Sequence, residues 1–170
     1  LANLITYTRM ILSIPILYLM YTEHYNSALV VFIIAALTDW LDGFVARKTN
    51  SVSEVGKVMD QIADKILIDA VLITALDLAW IPSWIVIAVV WRDIMVSAVR
   101  ILAAKRGDVL AANIFGKLKT VFQMALVIIL LSRSLFFFPI LNTSMVWIVF
   151  IFTVLSALIY IVQNRSVFET

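Results

Sequence analysis

Six apolar runs, read with their flanking turns as six membrane-crossing helices, follow one another through this chain of 170 residues. The first runs from Leu4 to Tyr21 and is interrupted mainly by Arg9; Thr22 to Asn26 ends it. The second, Ser27 to Leu41, passes into Asp39, Asp42 and Arg47 without a stop signal, so its last two turns are polar yet still helical in pattern. After a loop at Thr49 to Ser53, a third helix from Gly56 carries Asp60 and Asp64 and turns apolar from Ile66 to Leu78. The fourth covers Ser83 to Ala104 and holds Arg92, Asp93 and Arg100. The fifth is expected at about Thr120 to Phe138, with Pro139 as its stop, and the sixth at Leu141 to Val162.

Such a pattern leaves little room for a water-soluble core. With 64% apolar residues, 14% charged and a mean hydropathy of +1.06, the chain lies outside the range of soluble, disordered or collagen-like sequences. The expected fold is all-α, an integral membrane bundle of six transmembrane helices forming a single domain over residues 1–170. The first run lacks a basic leading segment and a small-residue cleavage site and reads as a retained helix. Because the chain opens at Leu1, its natural start is expected to be missing. No Cys is present, which removes disulfides, thiolate zinc sites, iron–sulfur clusters and cysteine nucleophiles.

Six crossings would put both termini on one side. Arg9, Arg47, Lys48, Lys57, Lys65, Arg92, Arg100, Lys105, Arg106, Lys117, Lys119 and Arg165 fall in or nearest the segments on that side, and Arg133 alone falls on the other. The positive-inside rule then directs the termini and the acidic cluster to the cytoplasm, in a multi-pass protein of the cytoplasmic membrane.

That acidic cluster carries the chemistry. Asp39, Asp42, Gly43, Ala46 and Arg47 form one continuous helical stripe, and Gly56, Asp60 and Asp64 form another. Each helix thus presents two carboxylates one turn apart, beside a Gly that leaves room for a ligand. Four facing carboxylates at a membrane boundary stay ionised only if cations neutralise them. An all-oxygen donor set with no Cys and no nearby His favours Mg²⁺ or Mn²⁺, and two such ions would balance the charge. A two-metal site suits phosphoryl displacement, with Arg47 placed to meet the released phosphate. A cation pathway is the alternative, although transporters place their acids near the midplane, usually on broken helices.

The spacing Asp39-x2-Asp42-Gly43-x2-Ala46-Arg47-x8-Gly56-x3-Asp60-x3-Asp64 resembles the full signature of the CDP-alcohol phosphotransferase family. The resemblance implies a six-helix membrane enzyme, usually a homodimer, that moves a substituted phosphate from a CDP-linked donor to an alcohol and releases CMP. It makes Asp39, Asp42, Asp60 and Asp64 the ligands of two divalent metals, with Asp64 also the general base for the acceptor hydroxyl. It puts Asp42, Gly43, Ala46, Arg47 and Gly56 around the CDP group. No nucleic-acid partner is expected.

The second half of the chain bears on the acceptor. Arg92-Asp93-x3-Ser97-x2-Arg100, Ala103-Ala104-Lys105-x-Gly107 and Ala111-Ala112-x3-Gly116-Lys117-x-Lys119-Thr120-x2-Gln123, with Asn3-x2-Thr6-x2-Arg9, resemble the phosphatidylglycerophosphate synthases within that family. CDP-diacylglycerol is then the implied donor and glycerol 3-phosphate the implied acceptor, with inositol phosphate or serine as alternatives. An acceptor with about two negative charges needs several cations, and Arg92, Arg100, Lys117, Lys119 and Arg9 are the candidates. Arg92 lies deep in an apolar run and needs a partner, Asp93 or Asp69 being the simplest. For Lys105, Arg106 and Lys119, cytoplasmic orientation and contact with lipid headgroups is at least as good a reading as a substrate role. Asp69, about 140° around its helix from the Asp64 stripe, is expected to pair with a cation of another helix. His24 reads as an exposed loop residue, Trp80, Trp84 and Trp147 as interfacial anchors, and Phe136 to Phe138 as a lipid or packing surface.

Overall fold

The computed structural model describes the backbone of residues 2–49, 54–105, 114–136 and 138–165, and the side chains of residues 10–38, 65–103, 114–136 and 138–165. The described residues form six α-helices: α1 (Ala2–Tyr21), α2 (Tyr25–Thr49), α3 (Glu54–Asp77), α4 (Ser83–Lys105), α5 (Ile114–Leu131) and α6 (Pro139–Gln163). A short 3₁₀ turn, Ser132–Ser134, follows α5. Among the described residues there is no strand.

Helices α2 and α3 run unbroken through their polar segments, to Thr49 and from Glu54. No Pro or Gly pair interrupts either stripe, so the periodicity that aligns the aspartates survives in the backbone. The fifth and sixth helices differ from expectation. Helix α5 begins at Ile114 and closes at Leu131, well before Phe138. Pro139 starts α6 instead of stopping α5, occupying the first turn, where its missing N–H costs nothing and its fixed φ favours the helix.

The core draws on every helix: Ile16 and Met20 from α1, Phe32 and Ala35 from α2, Val71 and Leu72 from α3, Ile85 and Val89 from α4, Leu126 and Leu130 from α5, and Val149 from α6. A second, smaller apolar cluster of Val96, Val99, Ala103 and Tyr160 joins α4 to α6. Helix α1 packs against both α2 and α3, and its last residue, Tyr21, donates a 2.9 Å hydrogen bond to Asp77 Oδ2 at the matching end of α3.

The turns after α1, α3 and α5 meet at one end of the bundle. Trp80 packs edge-on against Tyr25 with ring centroids 5.0 Å apart, and the Arg133 guanidinium lies 4.2 Å from its ring centroid. Ser134 Oγ donates to Asn26 Oδ1 at 2.6 Å. The aspartate-bearing segments of α2 and α3 are at the opposite end of their helices from these turns.

The outside of the bundle is apolar. Ile14, Val30, Ile87, Ile94, Val121 and Leu158 are each more than half exposed, a surface that fits lipid and would be poorly solvated by water. Among the described residues, two segments, Ile114–Ser134 and Pro139–Gln163, are long and apolar enough to cross a membrane. In α1 and α2 the apolar stretches are shorter, at Met10–Tyr21 and Tyr25–Thr38.

Candidate active site

Asp39 and Asp42 lie on α2, Asp60 and Asp64 on α3, in continuous helix on either side of the intervening loop. Their side chains, and those of Gly43, Ala46, Arg47, Gly56 and Arg9, lie outside the described residues. What the backbone supplies is register: at helical spacing each aspartate pair occupies one face, one turn apart. The donor chemistry fits hard divalent cations. Four carboxylates contribute only oxygen, while the single imidazole, His24, is exposed in the turn after α1 with its Nδ1 2.7 Å from the Thr22 carbonyl oxygen.

The described residues build a second polar feature, a buried seam between α3, α4, α5 and α6. Its centre is Asp93 on α4, 4% exposed. Arg92 Nη1 donates to Asp93 Oδ1 at 2.9 Å, and Lys119 Nζ from α5 donates to Asp93 Oδ2 at 2.7 Å. From α6, Ser156 Oγ accepts the Arg92 Nε–H at 3.1 Å and in turn donates to the Thr153 carbonyl. Lys65 on α3 donates to Ser97 Oγ, and Ser97 donates to the Asp93 backbone carbonyl at 2.7 Å. One turn beyond Ser97, the Arg100 guanidinium sits 6.0 Å from the Tyr160 ring centroid.

The seam's position follows from the helix repeats. Along α4, Arg92 and Asp93 fall between Val89 of the main core and Val96 of the smaller cluster; along α6, Thr153 and Ser156 fall between Val149 and Tyr160. A polar layer is therefore enclosed by two apolar ones. Burying charges is costly, and Asp93 offsets part of that cost by accepting a hydrogen bond from a cation on each of its two oxygens. Several polar atoms in this part of the bundle are nevertheless buried without a hydrogen-bond partner among the described residues: Asp69 Oδ1, Arg100 Nε, Gln123 Nε2, Thr153 Oγ1 and the Tyr160 hydroxyl.

Of the five cations expected at an acceptor phosphate, Arg92, Arg100 and Lys119 converge on this seam. Lys117 does not: it is exposed, because two residues along a helix turn the side chain by about 200°. Lys119 is 1% exposed, which overturns the headgroup-contact reading for that residue. Arg92 takes Asp93 as its partner, and Asp69 instead keeps one oxygen unbonded, with Asp93, Lys119 and Lys65 as its charged neighbours. Sequence reasoning missed Lys65 and Ser156. A signal existed in α6, where Thr153, Ser156 and Tyr160 recur at intervals of three and four within an otherwise apolar run.

Residues 1–156 match the family described as CDP-alcohol phosphatidyltransferase. A protein of Bacillus subtilis named CDP-diacylglycerol–glycerol-3-phosphate 3-phosphatidyltransferase is 39% identical over 145 residues, 83% of this chain and 75% of that one. A Shigella flexneri protein of the same name is 33% identical over 172 residues, covering 96% of this chain and 94% of its own. An Arabidopsis thaliana protein named as the second such enzyme is 44% identical over 120 residues, 61% of this chain, and the matched part spans 51% of that longer relative. The family match runs from α1 into α6 and takes in both aspartate-bearing helices and the seam, so the chain belongs to the CDP-alcohol phosphatidyltransferase family.

Proposed function

We propose that this protein transfers the phosphatidyl group of CDP-diacylglycerol to a hydroxyl of glycerol 3-phosphate, giving phosphatidylglycerophosphate and CMP. The names of the Bacillus and Shigella relatives support that pair of substrates, and both relatives are covered over at least three quarters of their length. The observation that carries the acceptor is the charge of the seam. Among the described residues, Lys65, Arg92, Arg100 and Lys119 face Asp69 and Asp93, an excess of two positive charges in a largely buried setting. A phosphate monoester with about two negative charges matches it, whereas serine would not.

The chemistry divides among the helices. The acceptor oxygen bonds to the phosphorus that carries the diacylglycerol, the bond from that phosphorus to the CMP oxygen breaks, and CMP leaves with the electron pair. Asp64 on α3 takes the acceptor's proton, since a hydroxyl of pKa near 15 is a poor nucleophile without a base. Asp39, Asp42, Asp60 and Asp64 are the residues that would hold Mg²⁺ or Mn²⁺, and what two bound cations supply is charge relief at the pyrophosphate. Gly43, Ala46 and Gly56 leave room for the cytidine group, and Arg47 holds its phosphate.

The same reading makes the chain one domain of six membrane-crossing helices in the cytoplasmic membrane, a homodimer, with the aspartates facing the cytoplasm. The apolar exterior and the excess of Lys and Arg toward the aspartate end support it. The donor's acyl chains then stay in lipid while its CDP group and the soluble acceptor meet at the boundary.

The test is CMP release from CDP-diacylglycerol in detergent with Mg²⁺ or Mn²⁺, comparing glycerol 3-phosphate, inositol phosphate, serine and no acceptor. Release that requires glycerol 3-phosphate is the expected result. Release with another acceptor alone would discard the acceptor assignment, and no release under any condition, with cation flux in sealed vesicles, would replace the enzyme by a transporter.

A further inference from the structure

At the end of the bundle opposite the aspartates, the turn after α3, the last turn of α5 and the start of α6 enclose a cavity of about 110 Å³. That is room for several water molecules or a polar group of comparable size. Its lining is mixed: Trp80, Arg133 and Asn142 bring polar atoms, and Ala79, Phe136 and Phe138 are apolar. Phe136 and Phe138 are also more than half exposed, as are Leu135 and Ile140 beside them, so the rim of the cavity is apolar and faces the surroundings of the bundle.

The polar groups are held in place by the protein itself. Ala79, at φ 57°, turns the chain out of α3, and the Trp80 N–H bonds back to the Ala75 carbonyl at 2.8 Å. The Trp80 ring meets both Tyr25 and the Arg133 guanidinium. Stacking uses the face of a guanidinium, whereas its five N–H donors lie in the plane, in a fork that suits a phosphate. Asn142 Nδ2 donates to the Trp80 carbonyl oxygen at 3.5 Å, and because a carbonyl only accepts, this orients the amide. Asn142 Oδ1 is then buried with no hydrogen-bond partner among the described residues. A buried acceptor in that state is costly until a donor reaches it.

These features select one kind of occupant. The described lining residues include one cation and no carboxylate, so a singly negative group matches the cavity better than a zwitterion does. Asn142 Oδ1 asks for a hydroxyl close to that charge, and the aromatic rim asks for hydrocarbon, which a free phosphate lacks. We propose that the cavity holds the headgroup of an anionic phospholipid that carries a hydroxyl, of the phosphoglycerol type. Its phosphodiester lies on Arg133, its hydroxyl donates to Asn142 Oδ1, and its acyl chains run along Phe136 and Phe138. The lipid is structural: it fastens the turn after α3 to the connection between α5 and α6 and takes no part in the reaction. The site rests on α5 and α6 crossing the membrane and stands apart from the transferase reading, since it belongs to the leaflet opposite the aspartates.

The experiment measures the melting temperature of the full chain in a neutral detergent as one additive at a time is titrated in. The additives are dioleoylphosphatidylglycerol, dioleoylphosphatidylmethanol, which has the same charge but no hydroxyl, dioleoylphosphatidylcholine, which is neutral overall, and inorganic phosphate. Phosphatidylglycerol should raise the melting temperature of the natural protein by about 5 °C at saturation, phosphatidylmethanol by less, and the other two by little. What is read in a variant is the rise on adding lipid, so a lower starting temperature does not matter. In Arg133→Gln the rise with phosphatidylglycerol should fall to that with phosphatidylcholine. Equal rises with phosphatidylglycerol and phosphatidylcholine in the natural protein overturn the site, and so does a rise that survives Arg133→Gln, which would place the bound lipid elsewhere. An equal rise with inorganic phosphate overturns the lipid as occupant, and equal rises with phosphatidylglycerol and phosphatidylmethanol overturn the hydroxyl as the recognised group. Should Arg133→Gln not survive purification, Asn142→Leu carries the test: loss of the difference between those two lipids supports the site, and its persistence overturns it.

Discussion

Lys119 on α5 reaches Asp93 on α4 at 2.7 Å, and both side chains are almost wholly buried. Through the same carboxylate Asp93 also holds Arg92, whose Nε–H goes to Ser156 on α6, so one residue joins three helices. Removing a carboxylate from such a position leaves two buried cations uncompensated. Asp93→Ala should therefore destabilise the protein by about 3–5 kcal/mol, seen as a large fall in melting temperature in detergent. Asp93→Glu, which keeps the charge, should recover much of it. An unchanged melting temperature in Asp93→Ala would mean that the ion pairs contribute nothing to holding α4, α5 and α6 together.

Lys117 and Lys119 provide a matched comparison. They are two residues apart on one helix, yet one is exposed and the other 1% exposed on Asp93. Lys119→Met should lower stability and activity together, by leaving Asp93 with Arg92 alone. Lys117→Ala should lower neither by more than about 0.5 kcal/mol, the range of ordinary surface substitutions. Equal effects from the two would remove the distinction between support and surface.

How much of this was legible in the sequence depends on the range of the interaction involved. The aspartate stripes, the helix order and the burial of Arg92 are set by local periodicity and by the cost of an unpaired charge in an apolar run, and both can be counted along the chain. Pro139 reads in the sequence as the stop of α5 because a proline that ends one helix and a proline that begins the next look alike until the 3₁₀ turn at Ser132–Ser134 is known. The partner of Lys119 was not legible, since Asp93 lies on the preceding helix, 26 residues earlier, and only packing brings them together. Lys65 does not stand out in the sequence because its neighbour Asp64 belongs to the stronger pattern. Its bond to Ser97, 32 residues away, belongs to tertiary structure alone.

Chelation should separate the carboxylate site from the seam. With EDTA, CMP release should stop, and Mg²⁺ or Mn²⁺ should restore it, because the proposed site of four oxygen-donating carboxylates would need hard cations to remain ionised. Stability should change much less than activity, since the ion pairs of Asp93 with Arg92 and Lys119 include none of the proposed metal ligands. Full turnover in excess chelator would remove metal chemistry from the mechanism.

Asp64→Asn tests the proton acceptor. The substitution keeps the shape and one oxygen but loses the basic carboxylate, and turnover should fall by about 10²–10⁴-fold, the usual contribution of general base catalysis, or further where a metal ligand is lost as well. Binding of CDP-diacylglycerol, measured separately by protection against thermal unfolding, should weaken less than turnover does. Wild-type-like rates would exclude Asp64 as the base.

The far end of the bundle should behave as structure alone. Arg133 stacks over Trp80 at 4.2 Å, and Trp80 in turn meets Tyr25, so this contact fastens the turns after α1, α3 and α5 to one another. A cation–π contact of this kind contributes about 0.5–2 kcal/mol. Arg133→Gln should cost at least that much in stability while leaving both KM values unchanged, because the turns lie at the opposite end of α2 and α3 from the aspartates. A selective rise in either KM would show that strain at these turns is transmitted along the helices, and the two ends could then no longer be treated as independent.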